Sequence, residues 1–144
     1  MSDFHSRIDH PRVVDAIRQA EAGSRAEIRV HVVHGAVDDA QKAAAVVFEK
    51  LGMTRTAERN GVLILVAPKS RRFAVIGDVG IHQKGGTDLW REAVAAMETA
   101  FREERFTDGL VAAIARVGVA LAEHFPRTAG VPDENELPDD VSES

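Results

Sequence analysis

Cysteine is absent from this 144-residue chain, which excludes disulfides, thiolate metal sites and cysteine nucleophiles. Tyrosine is absent as well and tryptophan occurs once, too few aromatic rings for a platform that stacks single-stranded nucleic acid. No apolar run approaches the roughly 20 residues that span a bilayer, and the segment from Met1 to His10 lacks the apolar centre of a signal peptide. A basic excess is missing too. The formal net charge is −5, and it is unevenly placed. Residues 127–144 contain Asp133, Glu134, Glu136, Asp139, Asp140 and Glu143 against Arg127 alone, which leaves 17 basic and 17 acidic residues in 1–126. A neutral body with an acidic tail has no electrostatic footprint for DNA or RNA. These absences predict a cytoplasmic monomer with no membrane segment and no nucleic-acid partner.

What is present is enough apolar residue for one domain. The apolar fraction is 44% beside 28% charged, ordinary for a soluble globular chain long enough to bury a core. We place that domain at residues 1–126. The tail, 127–144, combines two prolines with mostly acidic residues and is expected to stay disordered.

The chain is organised around the stretch from Asn60 to Gly80. The run from Val62 to Ala67 is apolar throughout, which suits a strand covered on both faces. Pro68-Lys69-Ser70 then reverses the chain into a second strand, Phe73–Ile76, so the pair reads as a hairpin. Upstream, Asp9-His10-Pro11 opens a helix that Gly23 stops. From Ala26 the pattern alternates: Ile28, Val30 and Val32 share one face, with Glu27, Arg29, His31 and Val33 on the other. That polar face places the first strand nearer a sheet edge than Val62–Ala67.

Asp38 suits the N-cap of a second helix ending at Gly52, and strand–helix–strand order makes the two strands parallel. After a loop over Gly77–Gly86, Thr87 opens a third helix with an apolar stripe from Leu89 to Phe101. A fourth, capped by Thr107 or Asp108, runs to Pro126, with Gly118 allowing close approach to the sheet. The fold class is therefore α/β: a three-layer α/β/α sandwich whose small mixed sheet carries helices on both faces.

Topology decides which acids meet. If the hairpin strand runs back, its end at Asp78 returns to the edge where the two parallel strands begin. Glu27, Glu58, Asn60 and Asp78 then converge at one rim, with Asp88 within reach. Oxygen ligands of this kind suit Ca²⁺, or less well Mg²⁺, rather than zinc. Arg72 and His82 are the nearby groups for phosphate binding or proton transfer. The ordinary alternative is that Glu27 and Asp78 form ion pairs with Arg29, Arg59 or Arg72. His31 and His34 point to opposite faces and cannot chelate one ion together. The Lys84-Gly85-Gly86-Thr87 segment lacks P-loop spacing, and no serine-hydrolase elbow occurs.

The order AEIRVHVV, NGVLILVA, RRFAVIGDVGI, a long amphipathic helix and FTDGLVAAIARVGVAL resembles the TPM-domain family, over roughly residues 24–125. That family is named for a thylakoid-lumen protein, a photosystem II-associated protein and a receptor modulator. Asn60-Gly61-Val62-Leu63, the Gly77–Gly80 loop and Phe106-x-x-Gly109 carry the likeness. The resemblance implies the same sandwich, Ca²⁺ binding and, in some members, acid phosphatase activity. At the hairpin turn, where members often carry an acid–Arg pair, this chain has Lys69-Ser70-Arg71-Arg72. Two functions stay open: a divalent-cation domain, with or without phosphatase activity, and a non-catalytic module that binds a protein partner.

Overall fold

An uninterrupted apolar strand is stable only where both of its faces are dry, and this requirement sets the layers. The computed structural model describes residues 8–85, 89–126 and 141–144. Helix α1 (His10–Ala22) leads to strand β1 (Glu27–Val32), helix α2 (Ala40–Lys50) and strand β2 (Gly61–Ala67). A short 3₁₀ turn, Pro68–Ser70, reverses the chain into β3 (Arg72–Gly77). The one-turn helix α3 (Val79–His82), α4 (Arg91–Arg102), α5 (Phe106–His124) and β4 (Val141–Glu143) follow. The strands form one mixed sheet in the order β3-β2-β1-β4. The pairs β1–β2 and β1–β4 are parallel, and β2–β3 is antiparallel.

All seven residues of β2 are buried. Val62, Ile64 and Val66 pack with Ile28, Val30 and Val32 into the larger core, which α1, α4 and α5 complete through Val13, Ile17, Met97, Phe101, Ile114 and Leu121. Leu63, Leu65 and Ala67 point the other way into a smaller core with Ala44 and Phe48 of α2 and with Met53. The α/β/α sandwich is thus present, with α1, α4, α5 and the short α3 on one face and α2 on the other.

Several local expectations shift. β1 does not lie nearer the edge: β4 covers its outer side, and Glu27 and His31 are buried. β4 itself departs from the expectation of a disordered tail for its last residues, while 127–140 lie outside the described residues. Histidine holds it. His31 meets Ser142 Oγ through Nδ1 at 2.6 Å and Ser144 Oγ through Nε2 at 2.7 Å, and His34 Nε2 lies 3.2 Å from Glu143. β4 is short, so the amide of Ile28 on the same side of β1 donates to the buried carboxylate of Glu21 at 2.8 Å. That bond satisfies a backbone group that burial would otherwise penalise.

Helix α2 is capped by Asp39, which accepts from the Lys42 amide at 3.0 Å, and not by Asp38. Neither Thr107 nor Asp108 caps α5, whose first turn has no side-chain cap. Thr107 Oγ1 accepts from the Asp9 amide and Asp108 from Arg12, tying α5 to the start of α1. Gly118 faces Ala20 of α1 rather than the sheet. The expected loop at Gly77–Gly86 contains α3, capped by Asp78. Thr87, expected to open the next helix, lies outside the described residues, and α4 begins at Arg91.

Candidate functional site

The parallel start of β1 and β2 and the return of β3 bring Glu27, Glu58, Asn60 and Asp78 to one rim, as the topology requires. Glu27 pairs in register with Gly61, and its amide donates to the Asn60 carbonyl at 3.4 Å. The Asp78 amide donates to Gly61 O at 3.0 Å. Gly80 presses against the Glu58–Arg59 backbone, donating to Arg59 O at 2.8 Å. Arg59 is held there in a left-handed conformation, φ 51°, one that a non-glycine residue adopts only under such constraint. Asp88 lies outside the described residues.

The charges at this rim are matched by two arginines: Arg59, one of the partners the sequence offers for Asp78, and Arg25, which it does not single out. Arg25 donates from Nε and Nη2 to the two oxygens of Glu58, at 2.9 and 3.0 Å, and holds its carboxyl below the ordinary 4.5. Arg59 donates in the same forked way to Asp78, at 2.6 and 2.8 Å. The same Asp78 Oδ1 accepts the Val79 amide at 2.8 Å as it caps α3. Asn60 turns inward, its Nδ2 donating to Arg25 O at 3.2 Å and its amide to Thr56 Oγ1 at 3.1 Å. Forked arginine–carboxylate pairs of this kind are among the stronger ion-pair geometries. The carboxylate oxygens of Glu58 and Asp78 are therefore engaged. Among the described residues no group of three His, Asp or Glu side chains is placed to hold a metal ion.

The groups assigned to assist at the rim are also separated. Arg72 begins β3 and Asp78 follows its end, so roughly 20 Å of strand separates them. His82 sits exposed in α3 on the Asp78 side.

Arg72 belongs instead to a groove of about 760 Å³ along the outer edge of β3. The β2–β3 register gives this edge its chemistry. The Asp78–Gly61 bond, just past the end of β3, fixes the residues of β3 that bond to β2 as Arg72, Ala74 and Ile76. Antiparallel pairs alternate, so the backbone N–H and C=O groups of Phe73 and Val75 point outward. Trp90 and Val94 line the groove on one side of the sheet, with Asp38, Asp39 and Gln41 on the other. Gly77 lies against Ile81 and Trp90 so closely that a Cβ there would overlap both. Finding this groove from sequence requires knowing that β3 is outermost, and the hairpin alone does not say which strand ends the sheet.

The family model described as the TPM domain matches residues 6–120. Among solved structures, the NMR structure of BA42 from the psychrophilic bacterium Bizionia argentinensis is similar throughout. It has 38% identity and a TM-score of 0.85, and the match covers 94% of this chain and 92% of that one. A search of curated proteins gives no match. The chain belongs to the TPM-domain family. Strand β4 lies beyond the matched residues. No helix among the described residues is long and apolar enough to cross a membrane.

Proposed function

We propose that this TPM domain is a protein-interaction module whose docking surface is the groove along β3. The observation that carries this reading is the unpaired backbone of Phe73 and Val75, set between an apolar and a polar wall. The test is photo-crosslinking in cells that make the full chain, with a benzophenone residue in place of Gln41, Arg72 or, at the rim, Gln83. Adducts of one defined mass from the two groove positions, and none from Gln83, are expected. Adducts from the rim position alone, or from no position, would overturn the reading.

A second reading places Ca²⁺ at the rim with phosphomonoester hydrolysis. It is favoured by the burial of Glu27 and Asp78, each about 5% exposed, since buried carboxylates gather at functional sites. Glu27, Asn60 and Asp78 would hold the ion, and the ion would neutralise phosphate charge. This requires Arg59 to leave Asp78. Millimolar Ca²⁺ should then raise the melting temperature by mass action, and Asp78→Asn should abolish that rise. A melting temperature indifferent to Ca²⁺ and Mg²⁺ removes this reading.

A further inference from the structure

We infer that the partner's docking segment is an extended strand that adds to β3 as a fifth strand of the sheet, with apolar and polar residues in alternation and an acid beside Arg72. This rests on the interaction-module reading and names how that surface binds.

Outward N–H and C=O groups on an edge strand are matched most fully by another extended backbone, the mode known as β-augmentation. Among the described residues no hydrogen bond fills the outward positions of Phe73 and Val75. The opposite edge is completed by the chain itself, where β4 adds to β1 over three residues. Among the described residues no strand adds to the β3 edge, and its residues from Phe73 to Gly77 carry no charge that would repel a strand.

The two walls define the partner's side chains. An added strand alternates its side chains between the faces of the sheet. On the α4 side they meet Trp90, Val94 and the half-buried Phe73. On the α2 side they meet Asp38, Gln41 and Arg72. Charge complementarity selects among polar partners. Arg71 is paired with Glu104, and Glu98 lies beside Arg102. Arg72 is exposed and has no ion pair among the described residues. Asp38 stands at the far lip, and Asp39 is engaged in capping α2. The open cation on the strand itself is therefore Arg72, and the matching residue on the partner is an acid.

The test uses the full chain and a phage-displayed library of random twelve-residue peptides. Selected peptides should alternate apolar and polar residues and carry an acid. They should slow hydrogen exchange at the Phe73 and Val75 amides. N-methylating alternate peptide amides, which removes donors without removing side chains, should weaken binding about tenfold. Arg72→Glu should weaken the acidic peptides by a similar factor and favour their lysine-substituted versions. If selected peptides leave the Phe73 and Val75 amides unprotected, or tolerate N-methylation, strand addition is wrong, while the crosslinks from Gln41 and Arg72 still decide the module reading. A library that yields no binder also overturns strand addition. So does a stable dimer whose β3 edge is already protected in the free chain, because the occupant would then be a second copy.

Discussion

Replacing Gly118 with alanine tests how the large core closes. Gly118 lies on α5 where it crosses α1, and a Cβ there would stand 2.6 Å from Ala20 Cβ and 3.0 Å from Ala20 Cα. Carbon atoms pack at about 3.5–4.0 Å, so the helices must separate by roughly 1 Å. That movement disturbs Val13, Ile17, Val117 and Leu121, which are fully buried. Overpacking of this kind costs about 1–3 kcal/mol, while Gly→Ala within a helix contributes about 1 kcal/mol in the opposite direction. The difference leaves Gly118→Ala destabilised, by up to about 2 kcal/mol. Ala20→Gly alone should cost about 1 kcal/mol through helix propensity. The double variant removes the Cβ–Cβ overlap and should return to within about 1 kcal/mol of the starting protein, well short of the sum of the two single changes. Urea unfolding followed by Trp90 fluorescence measures all four proteins, since Trp90 is the sole tryptophan and is buried. A Gly118→Ala protein more stable than its parent, or strictly additive effects, would refute the close crossing.

Leu63 and Leu65 are fully buried beneath α2, so either one changed to alanine should lose about 2–5 kcal/mol; a loss below about 1 kcal/mol would mean that α2 does not cover that face. Gly80→Ala drives a Cβ into the carbonyl oxygens of Glu58 and Arg59 and should cost at least about 1–3 kcal/mol, with amide shifts centred on Arg59 and Asp78. The docking of β4 should weaken with acid. Burial, and then the charge of Arg29, lowers the pKa of His31 below 6.5, so the folded state binds this proton less readily than the unfolded chain. The stabilisation is fully present above about pH 6.5 and is lost as pH falls toward the lower folded value. The Ser144 amide, which donates to Val32 O, should have a smaller protection factor, its exchange rate taken relative to the free-peptide rate at each pH, at pH 5.5 than at 7.5, and His31→Gln should remove most of that difference.

The parts of the fold legible in the sequence are those set by local pattern. Val62–Ala67 declares a doubly covered strand because its apolar residues leave no polar face, and Pro68-Lys69-Ser70 announces the reversal. From those two features the convergence of Glu27, Glu58, Asn60 and Asp78 follows by topology alone. The Arg59–Asp78 pair is one of those the sequence offers, and the left-handed backbone at Arg59 selects it; Arg25, just after the Ser24 bridge, has no local pattern that assigns it to Glu58. Asp38 and Asp39 suit a cap equally well by residue type, and backbone geometry decides between them. β4 was hidden for a different reason. Three residues in an acidic context carry no strand pattern, and their hold comes from His31 and His34, more than a hundred residues away in sequence. With β4 unseen, β1 looks like an edge strand and the open edge of β3 goes unnoticed.

Residue-by-residue amide hydrogen exchange along β3 in the free protein tests that open edge most directly. The Ala74 and Ile76 amides, bonded to β2, should exchange slowly, while Phe73 and Val75 exchange quickly. Such alternation would establish an uncovered edge in solution, available to an incoming strand. Uniform protection from Phe73 to Ile76 would mean that something already covers the edge, and the groove would not be a free docking surface.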